Sequence, residues 1–159
     1  MAKYAVMRTD QMHGTTDASS LNSVKIFEDL ENGCVVKAVV LAEGEREAFE
    51  AEQPLSTDKL ADLAILCGVE LMYDERQKYL YEYINLKDMN GGIYRAYRFC
   101  NNDMFGLTAE GFTGDLAVGN VVEIADGWKM NVVSAATGAT KVGTIIAQEN
   151  EYWVVRVEC

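Results

Sequence analysis

The chain has 159 residues, which is enough for one domain that buries a sizeable core without covalent cross-links. Its composition, 49% hydrophobic and 25% charged with thirteen Gly and one Pro, excludes a disordered or Pro-rich linker protein. A formal net charge of −11 repels nucleic-acid phosphates and anionic lipid headgroups, so we expect no direct binding to nucleic acid or to a membrane.

The N-terminal residues 1–23 are predicted to form an extended arm. A short alternating piece over residues 4–7 is followed by small polar residues over 14–20, a composition typical of loops. An arm of this kind can contact a partner surface. The residues expected to make that contact are Tyr4, Val6, Met7 and Arg8.

A β-hairpin is predicted around Asn32-Gly33. The pair lies between the apolar runs 24–27 and 34–41, and both residue types tolerate the positive φ that tight hairpin turns require. The acidic stretch 43–52 fits a short helix or a strand. We favour a strand that turns at Gly44 and pairs with residues 39–41. Further strands are predicted over residues 61–67 and 68–73.

One helix is predicted over residues 74–84, because Asp74 can cap it and further charged residues occupy its first turn. Two strands follow at 93–99 and 104–108, with a turn at 101–103 between them. The remaining strands are predicted at 120–124, 128–133, 142–147 and 152–157.

The fold class is therefore mainly β, with a small barrel or sandwich-like body, one short helix and the N-terminal arm. Residues 33–37 resemble residues 119–123, and each piece is followed by an apolar strand. The body 24–159 is thus either a single unit or two related β-modules, 24–73 and 103–159, joined by the segment 74–102. The similarity is also what any two hairpins can show.

No catalytic, cofactor or metal site is predicted. His13 is the only histidine and lies in the polar arm, and Cys34, Cys67, Cys100 and Cys159 form no CxxC pair and have no neighbouring histidine. We expect free thiols in a reducing compartment. No apolar stretch approaches the roughly 18 to 20 residues of a spanning helix, and the first ten residues lack the apolar core of a signal peptide.

The C-terminal half resembles the capsid decoration proteins, or head cementing proteins, of tailed bacteriophages. The resemblance rests on residues 103–108, 119–124, 126–130 and 141–146, and residues 3–8 and 32–36 are similar to small proteins encoded beside major capsid proteins. It implies a β-rich domain on the outside of an icosahedral head that bridges capsid subunits.

The resemblance further implies that the partner is the major capsid protein, that several copies assemble on the capsid, and that the protein passes from the host cytoplasm to the virion exterior. Acidity would then favour solubility before assembly and orientation on a basic capsid patch. The alternative is an acidic inhibitory protein that mimics DNA, and a small enzyme is a third class. A structure discriminates them by a one-sided acidic face or by a pocket of converging polar groups.

Overall fold

The computed structural model describes residues 5, 7–27, 30, 32–67 and 93–158. Tyr4, Val6, Cys159, the predicted strand at 68–73 and the predicted helix at 74–84 lie outside these residues. The described strands are β1 (Met7–Gln11), β2 (Leu21–Lys25), β3 (Val35–Lys37), β4 (Ala48–Glu50), β5 (Leu63–Leu66), β6 (Ile93–Arg98), β7 (Met104–Thr108), β8 (Phe112–Gly114), β9 (Val121–Ile124), β10 (Met130–Val133), β11 (Lys141–Glu149) and β12 (Tyr152–Val157).

The smaller sheet has five strands in the order β3-β5-β6-β2-β4. All neighbours are antiparallel except β2 and β4, which run parallel. Beyond β3, the bridges Lys37↔Glu52 and Leu41↔Phe49 bring the chain alongside β4 at the other end of the strand order. The sheet therefore curls back on itself into a partial barrel.

The concave side of this sheet holds a core of its own. Val36 pairs with Ala64, and Leu66 pairs with Ala96. These four side chains are fully buried, and the alanines leave room for a tight curl. Other members of this cluster are Val24, Ile26, Leu30, Cys34 and Ala38, with Phe49, Ala51, Tyr94 and Trp128 packed against them.

Arg98 lies at one end of the partial barrel, with its guanidinium 5.4 Å from the centre of the Phe49 ring. It donates from Nε to Asn22 Oδ1 (2.6 Å) and from its terminal nitrogens to the carbonyls of Ala38 (2.7 Å) and Ala61 (3.3 Å). Burial lowers its pKa from the ordinary value, and the acceptor oxygens compensate the lost hydration. One side chain thus links β6, β2 and two connecting segments.

The larger sheet has seven strands in the order β1-β7-β12-β11-β9-β10-β8. Its longest ladder is the antiparallel pair β11 and β12, which carries a β-bulge between Ile145 and Ala147. Gly143 is required in this ladder because a Cβ there would lie 2.0 Å from the carbonyl oxygen of Arg156. Only β8 and β10 are parallel in this sheet.

The two sheets share one hydrophobic core. The convex side of the smaller sheet contributes Val35, Leu63, Ile65 and Tyr97, and the larger sheet contributes residues that include Phe105 and Leu107. Alternation along β3 and β5 explains this arrangement, because successive side chains point to opposite faces of a strand. The mainly β, sandwich-like fold class is confirmed. No helix in the described part of the chain is long and apolar enough to cross a membrane.

Most strands lie where the sequence predicts them, but two pairings differ. β2 and β3 are not neighbours, so the hairpin predicted at Asn32-Gly33 is wrong, although the turn exists. Strands β6 and β7 belong to different sheets, and the turn at 101–103 is a crossover. The strand alternative for 43–52 is confirmed by β4 and its bridge to Leu41. β8 was not predicted.

The described part of residues 1–23 is built into the body and is not a projecting arm. β1 forms the edge of the larger sheet beside β7, residues 13–15 and 18–20 form 3₁₀ turns, and β2 begins at Leu21. The alternation of side chains along β1 explains this position at the sheet edge. Met7 reaches the shared core, while Arg8 faces outward.

Candidate functional site

A tight turn between β6 and β7 positions the first candidate site. The N–H of Asp103 donates to the carbonyl of Cys100 (3.0 Å), and the N–H of Cys100 donates to Asp103 Oδ2 (3.1 Å). Asn102 takes a φ of 67°, which asparagine tolerates better than most residues. Two hydrogen bonds with Val157 attach this turn to β12: Val157 N–H to Asp103 O (2.7 Å) and Asn102 N–H to Val157 O (3.0 Å). The turn is therefore rigidly placed.

His13 meets this turn from the N-terminal side. Its backbone N–H donates to Asp103 Oδ1 (3.1 Å), and its ring Nδ1 contacts the same carboxylate oxygen. Asp103 is fully buried, whereas the His13 side chain is 56% exposed. The hydrogen bond and the negative charge of Asp103 raise the pKa of His13 above its ordinary value of 6.5. Protonated His13 balances the buried carboxylate.

Cys100 completes a cluster of metal-ligating groups. Each of His13, Cys100 and Asp103 offers one ligand atom, and these three atoms lie within 4.8 Å of one another. The Cys100 Sγ also lies 3.3 Å from Ser20 Oγ. The expectation that no histidine neighbours a cysteine is therefore wrong at Cys100. The sequence hid the cluster because His13 and Asp103 are 90 positions apart; its only local signal was Cys-x-x-Asp across an Asn-rich turn.

The arrangement of this cluster favours metal coordination over a catalytic relay. In a catalytic relay of a nucleophile, a histidine and an acid, the imidazole lies between the other two groups. The nucleophile and the acid are therefore about 7 Å apart. Here the sulfur, nitrogen and oxygen form a triangle with no side above 4.8 Å. A triangle of three different donors can point at one common ion.

The second candidate site is an apolar edge, which we define as Val39, Val40 and Leu41. These three consecutive side chains are 49%, 55% and 46% exposed. The segment is held beside β4 by hydrogen bonds from Glu50 N–H to Val40 O (2.8 Å) and from Ala42 N–H to Ala48 O (2.9 Å). In the part of the chain that the structure describes, no strand pairs with its other side.

The predicted arm anchors behave differently from one another. Met7 is buried and cannot serve as a surface anchor. Arg8 is half-buried, and its guanidinium pairs with Glu149 (2.8 Å) and lies 5.1 Å from the centre of the Tyr152 ring. The hydrogen bond to Glu149 raises the pKa of Arg8. Tyr4 and Val6 lie outside the described residues.

A surface depression of about 400 Å³ lies between the β4–β5 connection and loops of the larger sheet, lined in part by Ser56, Glu123 and Thr137. Glu123 is buried, yet its carboxylate accepts from the N–H (2.8 Å) and the Oγ1 hydroxyl (2.6 Å) of Thr137. The Glu123 carboxylate therefore holds the loop over residues 137–140 in place.

Comparisons with protein-family models, curated proteins and solved structures gave no significant match.

Proposed function

We propose that this protein is a non-catalytic capsid decoration protein, which binds the exterior of a tailed-phage head in several copies and stabilises it by bridging subunits of the major capsid protein. The observation that supports this proposal best is the apolar edge. It replaces Met7 and Arg8 as the expected contact surface, because those residues are engaged within the body.

Three successive exposed apolar residues are unfavourable on the surface of a monomer unless they serve an interaction. They lie beside β4 at a sheet edge, where a partner strand can add by backbone hydrogen bonds while side chains bury apolar area. Because each of these side chains is already about half buried, covering the rest contributes on the order of 1 kcal/mol per residue. The edge can therefore supply binding free energy without any reaction.

The surroundings of the apolar edge are acidic. Glu43 and Glu47 are exposed, and Glu45, Glu50 and Glu52 lie in the same hairpin. An apolar centre with a charged rim is the usual anatomy of a protein interface. The matching partner surface is an apolar groove or strand edge rimmed by Lys and Arg, and this complementarity would make the association rate fall with rising salt.

The test is co-sedimentation of purified protein with empty heads of the cognate phage. Wild type should sediment with the heads, whereas the double variant V40S/L41S should remain mostly in the supernatant, with at least a tenfold weaker affinity. Val118→Ser is the matched control, because Val118 is 60% exposed and lies outside the apolar edge. Circular dichroism checks that all three proteins are folded.

Deletion of residues 1–23 is a poor test of this interface, since it removes strand β1 and the core side chain of Met7. Wild-type protein that stays in the supernatant would contradict the decoration function. Equal sedimentation of V40S/L41S and wild type would contradict the role of the apolar edge.

A further inference from the structure

We infer that His13, Cys100 and Asp103 form a binding site for a borderline transition-metal ion, of which Zn²⁺ is the expected occupant. The three side chains offer an imidazole nitrogen, a thiolate sulfur and a carboxylate oxygen, which are the three ligand types that Zn²⁺ takes in proteins. This inference is independent of the capsid interaction, because the apolar edge contributes no ligand.

The distances require only small side-chain movements. Bond lengths of about 2.0 to 2.3 Å at tetrahedral angles place the ligand atoms of a zinc site roughly 3.3 to 3.8 Å apart. The present triangle has sides of up to 4.8 Å, and the His13 ring is in direct contact with Asp103. Opening that contact and drawing the Cys100 sulfur inward brings all three atoms to one centre. The exposed His13 ring can make this adjustment.

The backbone already holds two of the ligands as a metal knuckle would. Cys100 and Asp103 are the first and last residues of a tight turn, the spacing that Cys-x-x-Cys zinc knuckles use. The backbone N–H groups of Cys100 and His13 donate to the carboxylate of Asp103, and these hydrogen bonds fix its orientation. Once the Nδ1 contact opens, each carboxylate oxygen has a lone pair for a metal.

The charges also balance. A thiolate and a carboxylate together neutralise a divalent cation, so a site beside the fully buried Asp103 would carry no net charge. Binding releases the Cys100 thiol proton and any proton on the coordinating nitrogen of His13, while the other ring nitrogen keeps its proton. Because the His13 side chain is half exposed, a water molecule can take the fourth position. The ion would join the end of β1 to the β6–β7 turn.

The experiment titrates Co²⁺ and then Zn²⁺ into chelator-treated, reduced full-length protein. A 1:1 Co²⁺ complex should show the near-ultraviolet thiolate-to-cobalt charge-transfer band, and Zn²⁺ should abolish that band and raise the melting temperature. Cys100→Ser should remove the charge-transfer band, and His13→Gln should weaken Co²⁺ binding at least tenfold.

Cys67→Ser is the matched control, because Cys67 is a partly buried thiol outside the cluster, and its titration should equal that of wild type. Circular dichroism of the metal-free variants checks folding independently of metal. A wild-type titration without the charge-transfer band, or a band that persists in Cys100→Ser, would overturn the inference and leave His13 and Asp103 as an ion pair.

Discussion

Asp58 orders a turn that lies between the two sheets. Its Oδ2 accepts from the N–H of Leu55 (2.8 Å), and its Oδ1 accepts from Nζ of Lys37 (3.1 Å) at the end of β3. The Thr140 hydroxyl in turn donates to the carbonyls of Ser56 (3.1 Å) and Asp58, which ties this turn to the loop before β11. Asp58 therefore orders a turn that both sheets use.

Asp58→Asn should lower the free energy of unfolding by about 1 kcal/mol at pH 7. The Leu55 hydrogen bond first, then Lys37, lowers the pKa of Asp58 below its value of 3.8 in the unfolded chain. Ionised Asp58 thus adds stability above about pH 4, and this contribution disappears as the pH falls through the lower folded pKa. Urea unfolding at pH 7 and at about pH 3 should show the difference between wild type and variant shrinking. The exposed Asp115, changed to Asn, is the control; a pH-independent difference for Asp58→Asn would contradict the ionic contribution.

At the scale of elements, the sequence predicts where strands occur better than which strands pair. Short apolar runs identify β5, β9, β11 and β12 locally, and β-branched residues are frequent in the last three. The pairing of β3 with β5 instead of β2 depends on contacts far along the chain. Gly33 illustrates this: its N–H donates to the carbonyl of Leu66 (2.8 Å), and no hairpin rule anticipates that acceptor.

The candidate sites were predictable to different degrees for the same reason. The apolar edge is visible as an apolar run at 39–41, but its exposure follows from the curl of the smaller sheet. The His13, Cys100 and Asp103 cluster forms only because β1 lies beside β7 and carries His13 toward the crossover turn. The buried position of Met7 follows from the same pairing.

Gly33→Ala should be much more destabilising than Gly44→Ala. Both residues have positive φ, 89° and 79°, so each alanine pays about 1 to 2 kcal/mol of backbone strain. Only at position 33 would the new Cβ lie 2.6 Å from Leu107 Cδ1, because Gly44 has open space around it. The overpacking adds roughly 1 to 3 kcal/mol. The difference between the urea-unfolding midpoints of the two variants measures the overpacking at position 33, because the backbone strain is similar in both. Equal midpoints would show that Leu107 moves aside without loss of stability.

At the scale of the whole molecule, contacts between the sheets favour one cooperative unit. Trp128 belongs to the connection between β9 and β10, yet its side chain packs against the cluster inside the smaller sheet. Its carbonyl accepts from the N–H of Val35 (2.7 Å), the first residue of β3. Trp153 lies on β12 and packs against the shared core. The two tryptophans therefore report on different regions.

The single-tryptophan variants Trp128→Phe and Trp153→Phe should unfold in urea with coincident fluorescence and circular dichroism transitions. The reason is that the shared core joins the smaller sheet to the larger one, so neither can lose its packing alone. Leu107→Ala, at the centre of that core, should lower the free energy of unfolding by about 2 to 5 kcal/mol and shift both tryptophan signals to the same extent. Independent modules over residues 24–73 and 103–159 would instead give fluorescence and circular dichroism midpoints that differ, because both tryptophans lie in the second module whereas circular dichroism reports on both. The comparison thus decides whether the structural division into two sheets is also a division in folding.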